Sequence, residues 1–203
     1  MFTDQDYVEA TLQGDTSAFN ELVLRYQHQV FNFAYHMLGN HQDGEEAAQE
    51  SFCRAYCKLR SYDPAQPFKR WLLAITAHYC IDILRQRRGL WYSIDELLDG
   101  EGSSPEPHGY ELTPEEACLN REMQVEFTSL LHILPVEQRA IVLMHYWDDL
   151  SYTEIADALG ITISSVKSRL FRARQTLAHH LRFQHGDALP SYQHARAGFA
   201  LAL

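Results

Sequence analysis

The sequence predicts an all-α protein with two small helical domains that are joined by a flexible acidic linker. Apolar residues recur at spacings of three and four along most of the chain, which is the pattern of an amphipathic helix with one buried face. Residues 90–113 lack this pattern and are rich in acidic residues, Gly, Ser and Pro. Near the C-terminal end, two short helical patterns meet at Gly160, which is the spacing of a helix-turn-helix.

The domain boundaries follow from these patterns. The first domain is expected to span residues 1–89, the linker residues 90–113, and the second domain residues 114–182. Residues 183–203 form a C-terminal extension whose role the sequence does not indicate. Its last residues, AGFALAL, are too short an apolar run to span a membrane.

The first domain is expected to contain four helices. Their ends are indicated by capping residues, by glycines and by interruptions of the hydrophobic period. Residues 61–67, SYDPAQP, are expected to form a loop because they contain two prolines, one of them directly after an Asp. The predicted helices run from Asp4 to Leu12, from Asp15 or Thr16 to Gly39, from Asp43 to Leu59 and from Phe68 to about Arg88.

The second domain is expected to be helical after Pro114, to break at Pro135, and to end in the helix-turn-helix. Ser151 is the expected N-cap of its first helix, and Thr162 or Ser164 is the expected N-cap of its longer second helix. One apolar stripe runs along this second helix and predicts its buried side. The stripe consists of Val166, Leu170, Ala173, Leu177 and Leu181.

The opposite side of this second helix is basic and carries small hydroxyl groups. Residues 162–182 include five Lys or Arg and no Asp or Glu, in a chain whose net charge is −10. Cations that meet phosphates, and short polar side chains that reach base edges, suit a helix in the DNA major groove. An ordinary hairpin with a solvated basic face is the alternative. The predicted DNA-binding residues are Ser164, Ser165, Lys167, Ser168, Arg169, Arg172 and Arg174.

Charge is distributed unevenly along the chain. The net charge is −8 in residues 1–50, +6 in residues 51–89, −9 in residues 90–139 and +1 in residues 140–203. Two basic segments in an acidic chain indicate that the protein contacts nucleic acid at two separated places.

Other features exclude several classes of protein. The phosphate-binding GxxxxGK loop, HExxH and GxSxG are all missing, so we expect neither an enzyme nor a cofactor. The chain begins without an apolar leader, and its cysteines lie in helical patterns, so we expect a cytoplasmic protein with no membrane insertion. A zinc or redox site formed by Cys53, Cys57, Cys80 and His78 is conceivable, but no paired ligand spacing favours it, and small buried or surface thiols are the preferred interpretation.

Four stretches occur in a fixed order: GDTSAFNELVLRYQHQVFNFA, DGEEAAQESFCRAYCKL, FKRWLLAITAHYCIDILRQRR and LPVEQRAIVLMHYWDDLSYTEIADALGITISSVKSRLFRARQTL. Together they resemble the bacterial sigma factors of the extracytoplasmic-function group, which are promoter-recognition subunits of RNA polymerase that keep only the second and fourth conserved regions. The resemblance implies that the first domain is region 2, which binds core polymerase and melts the downstream promoter element. It implies that the second domain is region 4, which reads the upstream element in duplex form.

The resemblance also implies where the partners bind. The third predicted helix would dock on the clamp of the polymerase through its first half, although a plain solvated face is the alternative. These docking residues are Asp43, Glu45, Glu46, Gln49 and Glu50. Cations and aromatic side chains at the end of that helix, in the loop and on the next helix would hold the melted strand and the adjoining duplex. They are Lys58, Arg60, Tyr62, Phe68, Lys69, Arg70, Trp71, His78, Arg85, Arg87 and Arg88.

Some of these assignments compete with structural roles. Core packing is the alternative for Phe68 and Trp71, and a solvated charge run at a helix end is the alternative for the arginines. The resemblance implies that core RNA polymerase, promoter DNA and an anti-sigma factor are the partners. A conventional helix-turn-helix regulator that is not a polymerase subunit is the second hypothesis. It leaves the basic and aromatic segment from Lys58 to Arg88 without a function.

Overall fold

The computed structural model describes residues 2–95 and 127–185, and side chains 88–95 and 183–185 are not discussed. The described residues fold into helices and contain no strand, which confirms the all-α class. The chain separates into two compact units, Met1–Glu106 and Pro107–Leu203. No helix among residues 2–95 and 127–185 is both long enough and apolar enough to cross a membrane.

The N-terminal unit contains four α-helices, and the starts of the first three are explained by local side-chain caps. Thr3 and Asp6 form a capping box at α1, Asp15 accepts the amide of Ser17 at α2, and Asn40 accepts the amide of Asp43 at α3. The helices are α1 (Asp4–Leu12), α2 (Thr16–Leu38), α3 (His41–Lys58) and α4 (Phe68–Asp95), with a 3₁₀ turn at Leu59–Ser61.

One apolar core holds these four helices together. The first helix contributes Val8, and α2 contributes the fully buried Leu22 and Phe33. The facing sides of α3 and α4 complete the core with small and large side chains, among them Ala55 and Leu72. Burial of these side chains is the main stabilising contribution, since each large apolar side chain contributes about 1.5 to 3 kcal/mol when it leaves water.

Helices α2 and α3 approach closely at Gly44. This glycine is buried, and a Cβ built there would lie 3.2 Å from Cα and 3.3 Å from both N and Cβ of Tyr35. The turn between the two helices is made by Gly39, which has a left-handed φ of 85°. The N-terminal half of α3 is therefore held against α2 by a contact that leaves no room for a side chain.

Helix α4 is longer than the sequence predicted. We expected it to end at about Arg88 and the linker to begin at residue 90, but the helix continues to Asp95. Gly89 is not followed by a proline, and a single glycine inside a helix costs only about 1 kcal/mol relative to alanine. The rest of the predicted linker, the helix start after Pro114 and the C-terminal extension beyond residue 185 lie outside the described residues.

The described part of the C-terminal unit contains three shorter helices and one long one. A helix whose described residues are 127–132 (α5) is followed by α6 (Val136–Tyr146), α7 (Tyr152–Leu159) and α8 (Ile163–His185). Helix α7 starts with a capping box between Ser151 and Glu154 and ends at Gly160, which has a left-handed φ of 64°. At α8, Thr162 is the cap, since its hydroxyl accepts the amide of Ser165 at 3.2 Å.

Arg139 is a buried cation that holds α5 and α6 together. Its side chain is 5% exposed, and its guanidinium donates to the carbonyl oxygens of Leu131 at 3.1 Å, His132 at 3.3 Å and Leu134 at 3.4 Å. Burial lowers the pKa of Arg139 to about 10, which leaves it charged at neutral pH. These carbonyls lie at the C-terminal end of α5, where helices have acceptors without partners and a partial negative charge.

Candidate nucleic-acid and polymerase interfaces

Helix α8 separates its residues into a buried stripe and an exposed face. Val166, Leu170 and Ala173 are fully buried, as the spacing predicts. Ser164, Lys167, Ser168 and Arg172 are exposed, whereas Ser165 and Arg169 are half-buried. The structure therefore presents most of the predicted DNA-binding residues on one accessible side of the helix.

Hydrogen bonds within α8 hold part of this face in place. The hydroxyl of Ser168 donates to the carbonyl oxygen of Ser164 at 2.9 Å, and Nε of Arg172 approaches the carbonyl oxygen of Ser168 at 3.3 Å. The two terminal nitrogens of the Arg172 guanidinium are further N–H donors on this exposed side chain. A bidentate contact with a guanine edge requires such a forked donor.

Phe171 is an exposed residue of α8 that the sequence reasoning missed. Its side chain is 59% exposed, and it follows the exposed residues Lys167 and Ser168 by four and three positions, which places the three on neighbouring parts of the helix surface. A large apolar side chain on an exposed face favours contact with a partner, and in a DNA groove the methyl group of thymine is an apolar feature of matching size. The sequence does contain a signal that Phe171 is exposed. It directly follows Leu170, so it is apolar but does not belong to the buried stripe, whose members are three or four residues apart.

Arg174 is half-buried and contacts another helix of the C-terminal unit. Its Nε donates to the hydroxyl of Tyr146 at 2.6 Å, and its guanidinium carbon lies 5.6 Å from the centre of that ring. The guanidinium of Arg174 thus has a partner on α6, and its contact with DNA stays a prediction.

In the N-terminal unit, the aromatic residues predicted to stack on melted DNA form a cluster. Phe68 is only 1% exposed, and its ring lies 5.5 Å from that of Tyr62 and 5.7 Å from that of Trp71. Tyr62 is also buried, and its hydroxyl donates to the carbonyl oxygen of Gln66 at 2.6 Å. Core packing occupies the rings of Phe68 and Tyr62, which is the alternative role considered for Phe68, whereas Trp71 is half-exposed at the edge of the cluster. The contact of these rings with melted DNA stays a prediction.

The basic residues around this cluster differ in accessibility. Lys58, Arg60, His78 and Arg85 are exposed, and Lys69 and Arg70 are half-buried. Arg70 donates to Oε1 of Gln66 at 2.7 Å and 3.2 Å, so its guanidinium is oriented along the loop. The side chain of Arg88 lies outside the described residues.

Arg87 is paired within the protein. Its two terminal nitrogens donate to the two carboxylate oxygens of Asp43 at 2.5 Å and 2.7 Å. The Arg87 guanidinium lowers the pKa of Asp43 below its usual range. Arg87 is predicted to bind DNA, and Asp43 is predicted to bind polymerase. Each group already has a partner within the protein.

The other acidic residues of α3 also contact side chains of the protein. Glu50 accepts from Nε of Arg54 at 2.7 Å, and the Arg54 guanidinium lies 4.4 Å from the ring centre of Tyr79 on α4. The remaining predicted docking residues, Glu45, Glu46 and Gln49, are exposed. Glu45 lies 3.6 Å from His41, and Glu46 accepts from Gln42 at 3.1 Å, so both make a contact within α3.

Three of the four cysteines, Cys53, Cys57 and Cys80, lie in the described residues and differ in exposure. Cys80 is buried, and burial raises the pKa of its thiol to about 12, whereas Cys53 and Cys57 are exposed. Within the described parts of the chain, no three His, Cys, Asp or Glu side chains are grouped as metal ligands would be.

Comparisons with known proteins assign the family. Residues 22–105 match the family Sigma-70 region 2, and residues 124–177 match the family Sigma-70, region 4. The chain is 32% identical over 179 residues to the ECF RNA polymerase sigma factor SigW of Bacillus subtilis, an alignment that covers 86% of this chain and 95% of SigW. The chain belongs to the ECF RNA polymerase sigma factors. As a sigma factor, it directs RNA polymerase to promoters for transcription initiation.

Two solved structures show the same fold as this sigma factor. CnrH, solved in complex with the cytosolic domain of CnrY, aligns with a TM-score of 0.62 at 22% identity and covers 88% of this chain and 96% of CnrH. The sigma factor RpoE of Bartonella quintana, solved in complex with the anti-sigma factor NepR, aligns with a TM-score of 0.62 at 24% identity. That alignment covers 81% of this sigma factor and 96% of RpoE.

Proposed function

We propose that this sigma factor reads the upstream promoter element with the exposed face of α8. The observation that carries the assignment is the separation of this helix into a buried apolar stripe and an accessible face with Ser164, Ser168, Phe171 and Arg172. Hydroxyls and a guanidinium supply donors and acceptors for base edges, Phe171 supplies an apolar contact, and Lys167 supplies a cation for the phosphates.

The N-terminal unit supplies the other two contacts in this proposal. The exposed cations Lys58, Arg60, His78 and Arg85 bind the backbone of the downstream element, with Lys69 and Arg70 beside them and Trp71 as the accessible aromatic ring. The exposed residues Glu45, Glu46 and Gln49 of α3 dock on the polymerase. We propose that the first domain extends through the end of α4 at Asp95, and the predicted start of the second domain at residue 114 is retained.

The proposal includes regulation and location. CnrH was solved in complex with the cytosolic domain of CnrY, and RpoE was solved in complex with the anti-sigma factor NepR. We infer that an anti-sigma factor controls this chain too, that it acts in the cytoplasm, and that it catalyses no reaction itself.

A reconstitution tests the proposal. Purified protein is mixed with bacterial core RNA polymerase and a library of genomic fragments, and the promoter-directed transcripts are sequenced. We expect discrete start sites that share upstream and downstream motifs and that disappear when the protein is left out. Duplex binding without core binding or transcripts would instead favour a conventional helix-turn-helix regulator.

Substitutions test the DNA-binding face of α8 and the polymerase-docking surface of α3 separately. Arg172→Ala is expected to weaken binding to the upstream duplex by about 5-fold to 160-fold, since one bidentate base contact contributes about 1 to 3 kcal/mol. Arg182→Ala is the matched control, because Arg182 is an exposed arginine of the same helix outside the predicted face. Core association is expected to survive both changes, and equal loss of DNA and core binding in Arg172→Ala would contradict the assignment.

The docking surface is tested by charge reversal. The double substitution Glu45→Lys and Glu46→Lys is expected to weaken association with core polymerase in a pull-down or anisotropy titration. Glu21→Lys is the matched control, because Glu21 is an exposed acidic residue on α2. An equal effect of the control would show that total charge governs the association and would remove the assignment to α3.

A further inference from the structure

Asp43 and Arg87 connect two surfaces that the proposed function gives to different partners. They are separated by 44 residues in sequence, and their side chains meet through two parallel hydrogen bonds of 2.5 Å and 2.7 Å. The Asp43 side chain is 18% exposed and the Arg87 side chain 45% exposed. The carboxylate is thus nearly enclosed, whereas the arginine lies at the surface where an external ligand can reach it.

Asp43 is fixed in place independently of Arg87. Its backbone amide donates to Oδ1 of Asn40 at 2.8 Å, and the side-chain amide of Asn40 donates to the Asp43 carboxylate. The close contact between Gly44 and Tyr35 holds the same turn of α3 against α2. The carboxylate is therefore a rigid acceptor at the position where Arg87 finds it.

A carboxylate and a phosphate compete for the same guanidinium donors. Both anions accept two parallel N–H groups from arginine in the same forked geometry. The two terminal nitrogens of Arg87 that would bind a DNA phosphate are the nitrogens that bind Asp43. Arg87 cannot make both bidentate contacts at once, so a phosphate has to displace Asp43 before it gains this cation.

We propose that Asp43 is an internal competitor that masks Arg87 from DNA phosphates in the polymerase-free sigma factor. The inference rests on the proposed role of the basic surface of the N-terminal unit in DNA binding. Its consequence is a lower affinity for bulk duplex DNA, because one phosphate contact requires the loss of an existing ion pair. The free subunit is thereby kept from accumulating on non-promoter DNA.

The test is a double-mutant cycle on the full chain, with binding to a short non-promoter duplex measured by fluorescence anisotropy. Asp43→Asn is expected to tighten binding by about two- to fivefold, which corresponds to the strength of an exposed ion pair. The gain is expected to disappear when Arg87→Gln is added. The slope of log affinity against log salt is expected to be the same in Asp43→Asn as in the unaltered protein, since Arg87 neutralises the same phosphate in both complexes, and to become shallower by about 0.9 when Arg87→Gln is added.

Glu45→Gln is the matched control for loss of a negative charge. Glu45 is on the same helix, and the neighbour that it contacts is His41 rather than Arg87. Its effect on DNA affinity is expected to be the same with Arg87 and with Arg87→Gln. A gain in Asp43→Asn that equals that of Glu45→Gln, or that survives Arg87→Gln, would overturn the proposal.

A second measurement avoids substitutions at the helix start. The titration of the Asp43 carboxyl is followed by carbon NMR in the unaltered protein, with and without duplex. If phosphate displaces the carboxylate from Arg87, the pKa of Asp43 rises on DNA binding, because the nearby cation is withdrawn. An unchanged pKa at saturating duplex would overturn the proposal. The reconstitution separates the two ideas, since normal transcription together with a failed cycle removes only the masking role.

Discussion

The close approach at Gly44 leads to a prediction in which two physical effects oppose each other. In an ordinary helix interior, Gly→Ala raises stability by about 0.8 to 1 kcal/mol, because alanine loses less conformational freedom on folding. At Gly44 the new Cβ would lie 3.2 to 3.3 Å from three atoms of Tyr35, two of which belong to the backbone of α2. A backbone inside a packed helix pair cannot rotate away as a flexible side chain can.

The steric effect is therefore expected to be the larger one. Overpacking of a close-packed interior costs about 1 to 3 kcal/mol. After subtraction of the gain in helix propensity, Gly44→Ala is expected to lower the free energy of unfolding by about 1 kcal/mol. The same substitution pushes the start of α3, with the Asp43 carboxylate, away from α2.

Urea unfolding followed by peptide-resolved hydrogen exchange measures this effect, because it reports α2 and α3 separately from the C-terminal unit. The pair Gln49→Gly and Gln49→Ala, at an exposed position of α3, measures the propensity difference without the steric contact. The alanine is expected to be the more stable variant at position 49 and the less stable one at position 44. If alanine stabilises both positions, the contact with Tyr35 is not a constraint and the argument from packing is refuted.

Four further predictions each follow from the surroundings of one residue or one ion pair. Phe68→Ala is expected to cost about 3 to 5 kcal/mol of unfolding free energy in urea, because the ring is 1% exposed, and a loss of DNA binding at unchanged stability would contradict its core role. Arg139→Met is expected to cost about 1 to 3 kcal/mol in thermal unfolding, because helix-end carbonyls lose their donor; an unchanged melting temperature would contradict this. Asp149 has a left-handed φ of 57°, so Asp149→Gly is expected to melt above Asp149→Ala, and the reverse order would exclude backbone strain at this turn. Arg87 lowers the pKa of Asp43, so this pair is expected to stabilise the fold fully above the ordinary Asp pKa of about 4. The contribution is expected to be lost as the pH falls through the lowered pKa. Asp43→Asn is expected to flatten this acid dependence in a pH series of unfolding measurements.

Much of the helical framework could be predicted because its signals are local. Asp15, Gly39 and Ser151 cap helices at the expected positions, since a cap depends on residues within one turn. The buried stripe of α8 was predictable for the same reason, as the helical period alone assigns residues to a face. The end of α4 was not predictable, because a glycine without a following proline does not force a helix to stop.

The candidate sites were less predictable because their contacts are not local. No spacing rule relates Asp43 to Arg87, which belong to different helices. Phe68 and Trp71 both follow the loop and have similar chemistry, yet one is buried and the other half-exposed. Arg174 lies on the same basic helix as Arg172 but is bound by a tyrosine of α6. Composition identified the basic segments, while tertiary packing determined which cations remain accessible.

The division of α8 into two sides has a consequence for how such a protein diversifies. Residues on the exposed side can be exchanged at a cost within about 0.5 kcal/mol, whereas a change in the buried stripe leaves a cavity or a clash. A library that varies only positions 164, 167, 168, 171 and 172 would therefore sample new DNA preferences on one constant scaffold. Mutations at these positions leave the fold stable whether or not promoter binding is kept. The DNA sequence that is recognised can therefore change while the domain stays folded.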